Sequence, residues 1–167
     1  MPSIKLTKKL ADRAGLKLLA PTQSTPNDWH ANLFRFDRRS YVIFCSDLTR
    51  LTCLAGPVIK ADLQDLPGLL FNALTRTLAS EDFSDTAICY AISRLERIQL
   101  AKSDDRSILG TISDNLWHVD IHAYDAGGIE LIGLEQLSKR VNHMPLKPLS
   151  WGFAIDAFRK TVIHTAA

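Results

Sequence analysis

The fold is decided by one stretch of sequence, WHANLFRFDRRSYVIFCSDLTRLTCLAGP, which occupies residues 29–57. Three segments of it alternate with period two and are rich in aromatic and β-branched side chains, as strands are: residues 29–36, 40–46 and 50–55. Only short polar turns separate these segments, and such turns force consecutive strands to be antiparallel neighbours. The stretch therefore predicts a meander of three strands that ends at Gly56-Pro57.

The sequence on either side of the meander predicts one further strand and a set of helices. Residues 3–6 alternate like a strand at an edge of the sheet, and a short helix should run from the N-cap Thr7 to Gly15. Apolar residues then recur at helical spacing in five segments: 66–78, 84–100, 107–124, 130–141 and 151–163. Between the last two segments, residues 144–148 should form an extended link.

Strands followed by helices indicate an α+β fold. We predict a small antiparallel meander sheet of three to four strands in the N-terminal third, packed on one face by about four to five helices. The length of 167 residues suits one domain over residues 1–167, sheet-rich over 1–57 and helical over 58–167.

The composition excludes several classes of protein. The chain carries 20 Lys and Arg against 18 Asp and Glu, and a net charge of +2 is too small to identify a nucleic-acid binder. No segment approaches the ~20 apolar residues that span a bilayer, so we expect no membrane partner. Cys45, Cys53 and Cys89 are odd in number and lie in apolar patterns, which predicts reduced, buried thiols in a cytoplasmic protein.

The first meander strand and its turn form the most polar and aromatic candidate surface. The candidate binding residues there are Trp29, His30, Asn32, Arg35, Arg38 and Arg39. On a strand, His30 and Asn32 share a face with two phenylalanines, the kind of face on which single-stranded nucleic acids stack. The favoured interpretation is that this face belongs to the core and the arginine turn is solvated, since exposed apolar patches are uncommon.

The start of the helix that follows Asp105 is the second candidate site. Arg106 stands where the helix dipole mildly disfavours a cation, so it could bind an anion together with the free N–H groups of the first turn. Ser107 could equally be an ordinary N-cap, with Arg106 solvated or paired with an adjacent aspartate. Asn115 has low helix propensity and is expected to bond to a neighbouring element.

His118 is the last candidate, because it aligns with His122 at i, i+4 as in zinc-binding helices. A zinc protease would need a glutamate where Val119 stands and a third ligand, so two histidines on a half-exposed helix are the favoured interpretation. We predict no metal and no cofactor. The motifs of phosphate loops, dinucleotide folds, serine hydrolases and EF-hands are not found in the sequence.

Three segments carry a resemblance to a known family. The first is residues 29–44, with WHANL at its start, RR in its turn and YVIF at its end, and the second is residues 106–115, which begin with RSILG and end with DN. The third contains Asn142, Met144-Pro145 and Pro148. Over roughly residues 4–158 the chain resembles mostly bacterial proteins catalogued as a domain of unknown function, DUF6933. The resemblance implies small stand-alone proteins, or fusions to plasmid-type domains, in toxin–antitoxin, mobile-element or phage-defence loci. It carries over no catalytic residue.

Two functions remain as hypotheses. The first is a binding or regulatory module that acts through a protein partner or as a homodimer, indicated by the lack of a catalytic motif and the near-neutral charge. The alternative is a nucleic-acid-binding protein or a metal-independent nuclease, in which histidines transfer protons and arginines hold phosphate. The nuclease requires His30 and His118 to meet in one cleft with Arg39 and Arg106. Whether the chain is an enzyme stays open at this stage.

Overall fold

The computed structural model describes residues 1–17 and 19–163 and has an α+β fold built on a five-stranded sheet. The strands are β1 Ser3–Leu6, β2 Trp29–Phe36, β3 Arg39–Ser46, β4 Thr52–Val58 and β5 Gln99–Lys102, in the spatial order β4-β3-β2-β1-β5. The meander of β2, β3 and β4 is antiparallel, as predicted. β1 is parallel to both β2 and β5, so the sheet is mixed and β1 lies inside it rather than at an edge.

The helices of the described residues are α1 Lys8–Ala14, α2 Leu66–Ser80, α3 Asp85–Ser93, α4 Arg106–Asp125, α5 Ile129–Ile132, α6 Leu134–Asn142 and α7 Ala154–Ile163. The signals at the ends of α1 are confirmed. The Thr7 side chain accepts a hydrogen bond from the Leu10 N–H, and Gly15 ends the helix in the left-handed region at φ 71°. None of the helices in the described ranges is long and apolar enough to cross a membrane.

The segment over residues 84–100, predicted as one helix, contains a helix and a strand. α3 ends at Ser93, and a turn with Arg97 at φ 60° leads into β5, which runs parallel to β1. A short apolar run fits helical and strand periodicity about equally well. Pairing with β1, which is distant in sequence, decides the structure of this run.

Three smaller boundaries also differ from the prediction. β4 continues through Gly56-Pro57 to Val58. Gly133, at φ 85°, separates α5 from α6 where one helix was predicted, because its left-handed conformation interrupts the helix. The predicted extended link contains a short strand, β6 Pro145–Leu146, which pairs with β7 Gly152–Phe153.

Helices cover both faces of the sheet, so the expectation of one covered face was wrong. On one face, Ile4, Ala31 and Val42 belong to a core cluster that also contains buried residues of α1, α2, α3 and α7. On the other face, Phe34 and Ile43 pack in a cluster with buried residues of α4, α5 and α6. The result is a three-layer arrangement, and it excludes a nucleic-acid stacking platform on the His30 face.

The three cysteines are free, but only two of them are buried. Cys45 on β3 and Cys53 on β4 lie in the core, where burial raises the pKa of each thiol to about 12. Cys89 is exposed on α3, contrary to the prediction. Cys89 continues the apolar pattern of the sequence, but its position on α3 faces away from the core.

Candidate functional site

A cluster of charged and polar side chains lies at the start of β2, where the sheet meets the N-terminus of α4. We call it the polar centre, and its members are Lys5, Asp28, His30, Asp47, Arg50, Ser103, Asp105 and Ser107. The topology explains why they meet. His30 lies opposite Cys45 in the register of β2 and β3, so the turn that follows β3 returns to the His30 end of the sheet. β5 ends at the same level, and its continuation supplies Ser103 and the start of α4.

His30 supplies the imidazole of the polar centre, and its side chain is fully buried. Its Nδ1 lies 2.8 Å from the Ser103 hydroxyl, while its Nε2 is buried without a hydrogen-bond partner among the described residues. Burial, together with the positive charge of Lys5, lowers the pKa of His30 to about 4. The ring is therefore neutral at pH 7.

Arg50 connects the turn after β3 to α4. It adopts a left-handed backbone conformation at φ 61°, and its Nη2 donates to the Ser107 hydroxyl at 3.3 Å. Its Nη1 is the second buried polar atom for which the described part of the chain offers no partner. Buried polar groups in native proteins are almost always satisfied, so each of these two atoms is expected to find a hydrogen-bond partner from solvent.

Lys5 and Asp28 form a buried ion pair at the base of the polar centre. The Lys5 Nζ lies 3.2 Å from Asp28 Oδ2 and donates to Ser24 Oγ at 2.7 Å. Burial alone would raise the pKa of Asp28, but hydrogen bonds from Thr25, Ser3 and Lys5 outweigh it and lower the pKa. Removing one partner of such a pair would be strongly destabilising, because the other charge would be left buried and uncompensated.

The polar centre does not favour a ligand of either charge. Lys5 and Arg50 are positive, whereas Asp28, Asp47 and Asp105 are negative, and the formal charges nearly cancel. Burial raises the pKa of Asp47. We therefore describe the centre as a hydrogen-bonded junction between the sheet and α4.

The start of α4 is capped by Asp105, not by Ser107. The Asp105 carboxylate accepts hydrogen bonds from the Ser107 N–H at 2.8 Å and the Ile108 N–H at 3.1 Å. Burial alone would raise the pKa of Asp105, but these two hydrogen bonds and the Arg50 charge lower it. Because the carboxylate already occupies the first-turn N–H groups, the predicted anion site at Arg106 is not available in this arrangement, and Arg106 is exposed.

Asn115 and Asn142 fix two helices to Thr52, the first residue of β4. Asn115 Nδ2 donates to the Thr52 hydroxyl at 2.9 Å, as expected for a neighbouring-element bond. Asn142 accepts from the Thr52 N–H and donates to the Thr52 C=O, both at 2.8 Å. β4 is an edge strand, so the Asn142 side chain takes the place of a further strand and bonds the outward N–H and C=O groups of Thr52. These asparagines have a structural role.

A basic groove lies at the opposite end of β2 from the polar centre. It has a volume of about 640 Å³ and is lined by Arg13, Leu33, Arg35, Arg38, Arg39, Ser40, Pro57, Val58 and Ile59. Arg39 pairs with Glu130 of α5, and Arg35 Nη2 donates to the Arg38 C=O at 3.2 Å. In the described ranges, no acidic side chain is within ion-pair distance of Arg13, Arg35 or Arg38. The arginine turn predicted from the sequence is thus joined by Arg13 of α1.

The outer face of α4 carries an apolar strip that is exposed. We call it the α4 strip; Trp117, Ile121 and Tyr124 form it at i, i+4 and i+7, with 62%, 36% and 79% of their surfaces exposed. His118 lies beside the strip, its ring 4.9 Å from that of Trp117 and 6.4 Å from that of His122. No group of three His, Cys, Asp or Glu in the part of the chain that the structure describes could hold a metal ion.

The remaining first-strand candidates have structural positions. Trp29 is buried in the core cluster on the α2 face. Asn32 accepts from the Thr7 hydroxyl at 2.7 Å and from the Leu33 N–H at 2.8 Å, which joins β2 to the start of α1. Neither side chain is free to contact a ligand in the way that the sequence suggested.

The structure places both His30 and Ser107 in the polar centre, but it does not assemble the nuclease set. His118 follows Arg106 by 12 residues, which places it about 18 Å further along the helix axis. Arg35 lies five residues from His30 on β2, about 17 Å away. His30, His118 and the arginine turn therefore occupy three separate places on the molecule.

Sequence reasoning missed Lys5, Asp28, Asp47 and Arg50. Lys5 lies in the strand predicted over residues 3–6, and a lysine in a short alternating segment gives no sign that it is buried. Asp47 and Arg50 could have been found, because an acid and a base in the turn between the second and third strands must lie at the His30 end of an antiparallel meander.

The mixed sheet between two helical layers, with a polar junction at one end and a basic groove at the other, defines a three-layer α+β domain. Residues 3–157 match the family model described as a domain of unknown function, DUF6933, so the chain belongs to that family. No curated protein and no solved structure matches the chain significantly. Two of the segments that carried the resemblance, residues 29–44 and 106–115, meet at the polar centre.

Proposed function

We propose that the chain is a binding or regulatory module that recognises a protein partner through the α4 strip. The observation that carries the proposal is the exposure of Trp117, Ile121 and Tyr124 on one side of a single helix. Large exposed apolar side chains in contiguous patches mark protein interaction sites, and Trp and Tyr are the residues that most often dominate their binding energy.

The strip is additional to the packing of α4 within the domain. The opposite side of the helix already contributes Ile108, Ile112, Val119 and Ala123 to the core. The fold thus has no further use for the outer apolar side chains, and a partner is the simplest reason to keep them exposed.

The charges around the strip favour a partner that differs from this chain. After Arg106 the charged residues of α4 are all acidic, Asp114, Asp120 and Asp125, and all three are exposed on the flanks of the strip. In a symmetric dimer these acids would face one another, at a cost in binding energy. We therefore propose a partner with an apolar groove or face surrounded by basic residues.

The setting we propose is the bacterial cytoplasm. Three free thiols, one of them exposed, are typical of a reducing compartment. A regulatory protein–protein contact suits the toxin–antitoxin, mobile-element or phage-defence loci that the family resemblance implies.

The test is a comparison of two variants that remove exposed tryptophan surface in different places. Immobilised wild type should capture a partner from lysate of the source cells, and the partner, identified by mass spectrometry, should reconstitute a stoichiometric complex with the purified chain. The double variant Trp117→Ala/Tyr124→Ala should bind the partner more weakly. We expect the affinity to fall at least about 30-fold for each of the two side chains that is a hot spot of binding energy. Alanine favours the helix, so α4 should stay folded.

Trp151→Ala is the matched control, because Trp151 is 65% exposed but lies outside α4. It should retain the affinity of the wild type. Equal losses in the two variants, or none in either, would contradict the proposal. A dimer of this chain that dissociates when Trp117 is replaced would contradict the assignment of a different partner.

A further inference from the structure

The basic groove offers a second binding surface, which does not depend on the α4 strip. Its cationic side chains come from separate elements: Arg13 from α1, Arg35 from β2 and Arg38 from the turn between β2 and β3. The backbone of that turn is left-handed at Asp37, φ 47°, and Arg38, φ 66°, as in the tight turns that join antiparallel strands. This geometry holds Arg38 beside Arg35, whose guanidinium donates to the Arg38 C=O.

The charge of the groove is concentrated and only partly neutralised. Glu130 pairs with Arg39, and Asp37 is adjacent to Arg38 in the turn. Arg13, Arg35 and Arg38 are exposed, and among the described residues none of them has a carboxylate within ion-pair distance. Arg39 and Glu130 balance each other, and Asp37 offsets one of the other three arginines, so the local excess is two positive charges, as large as the net charge of +2 of the whole chain.

One further cation and one carboxylate lie beside the groove, and the carboxylate, that of Asp62, accepts a hydrogen bond from the Ile59 N–H at 2.8 Å. Ile59 in the groove wall is followed by Lys60, which is exposed and lies next to Gly15, two residues after Arg13. A neighbouring depression of about 480 Å³ is lined by Ala14, Gly15, Lys60, Ala61 and Gln64. The cations are thus distributed along a path rather than converging on one point.

We infer that the groove binds the phosphate backbone of a single-stranded nucleic acid. Arginine is suited to phosphate because its planar guanidinium makes paired, charge-assisted hydrogen bonds. A path of separate cations matches an anion that repeats along a chain, whereas a free phosphate would need donors that converge.

The chemistry of the groove also defines the mode of binding. Its apolar wall consists of Leu33, Pro57, Val58 and Ile59, with no aromatic ring among the described lining residues on which a base could stack. Binding should therefore depend on phosphate contacts, with little preference for base sequence and a steep dependence on salt.

The experiment measures binding of fluorescein-labelled poly-dT and poly-rU of about 15 nucleotides, within the ~4–16 nucleotide site sizes of single-strand binders, by anisotropy over a range of salt concentrations. Wild type is compared with Arg13→Gln/Arg35→Gln/Arg38→Gln. The matched control is Arg76→Gln/Arg97→Gln/Lys160→Gln, which removes the same charge from exposed positions outside the groove. Thermal unfolding checks that both variants fold.

We expect the groove variant to lose at least about tenfold in affinity at low salt, and its slope of log K against log salt to fall by about 2, since each single-strand phosphate contact contributes ~0.7. The control should retain the wild-type slope. If the groove variant does not fold, Arg13→Glu/Arg38→Glu tests the same point and keeps the Arg35 side chain. Equal effects of groove and control variants would overturn the inference. So would binding of inorganic phosphate or phosphatidylserine vesicles to the groove when neither oligonucleotide binds.

Discussion

A single buried imidazole, that of His30, couples the stability of this fold to pH. The polar groups that face it are Lys5 on β1, Asp28 before β2, Arg50 after β3 and Asp105 before α4. Its ring has no exposed surface, and protonation would place a further positive charge in a buried site that already holds Lys5 and Arg50. The neutral ring is therefore part of the folded structure.

We expect the free energy of unfolding to decrease as the pH falls from about 6.5 to about 4. The folded-state pKa of His30 is about 4, below the ordinary value of 6.5, so the unfolded chain binds more protons throughout that range. The stabilisation is complete above the unfolded pKa and is lost progressively below it, up to about 3 kcal/mol. Urea unfolding at several pH values above the range where Asp28 titrates measures the slope.

His30→Gln should flatten this slope, because glutamine can still bond to Ser103 but does not titrate. The slope that remains in His30→Gln is the contribution of the other titratable groups. A wild-type protein whose stability does not change between about pH 6.5 and 4.5 would contradict the assignment of His30 as a buried neutral ring.

Asn142 supports an equally specific prediction. Asn142→Ala removes both hydrogen bonds to the Thr52 backbone and leaves a buried N–H and C=O unpaired, which should cost about 2–4 kcal/mol in the free energy of unfolding. Asn72→Ala, at an exposed position of α2, is the control and should have an effect below ~0.5 kcal/mol. Chemical denaturation measures both, and similar effects in the two variants would show that the Asn142 contact contributes little.

At the level of single residues, sequence patterns predict caps and turns better than they predict which side chains are buried. Thr7, Gly15 and the turn after Phe36 behave as their residue types indicate, because the interactions that decide them are local. The burial of Lys5 and His30, and the exposure of Cys89, depend on which elements pack across them. That information lies in contacts between residues far apart in sequence, such as the 73-residue separation of His30 and Ser103.

The N-terminus of α4 allows a prediction at the level of an element. Asp105→Ala should destabilise the protein by about 1 kcal/mol, because the first-turn N–H groups of Ser107 and Ile108 lose their acceptor. Ser107→Ala should have an effect below ~0.5 kcal/mol, since the Ser107 hydroxyl does not cap the helix and the hydrogen bond that it accepts from Arg50 Nη2, at 3.3 Å, is long and exposed. Asp105→Asn should restore most of the loss, because asparagine is also an N-cap. Thermal or urea unfolding measures the three variants, and a larger loss for Ser107→Ala would assign the cap to serine.

The elements that the sequence could not predict share a physical cause. The meander, α1, α2 and α4 arise from periodicity and local end signals, and all of them occur close to the predicted positions. β5 is four residues long, and its apolar side chains fit either structure until β1 supplies a parallel partner. For the same reason the mixed order of the sheet was not predictable, because a parallel pairing leaves no turn signal in the sequence.

At the level of the whole molecule, the two proposed binding surfaces belong to different layers. α1, which supplies Arg13, lies in the layer that covers one face of the sheet, and α4, which carries the strip, covers the other. The basic groove and the polar centre also lie at opposite ends of β2. The three-layer fold thus keeps His30, the arginine turn and His118 in three separate places, so the convergence that the nuclease alternative requires is not found.

This separation predicts that the two surfaces act independently. Trp117→Ala/Tyr124→Ala should leave the oligonucleotide affinity within about twofold of the wild type, because effects of distant residues that share no partner are close to additive. The groove variant should retain the affinity for the protein partner to the same extent, and both constants can be measured by fluorescence anisotropy on the same preparations. A strip variant that loses oligonucleotide binding as strongly as the groove variant would show that nucleic acid extends across the edge of the sheet to α4. In that case the contact between Arg39 and Glu130 of α5, which lies between the two surfaces, would be the first place to test for a shared path.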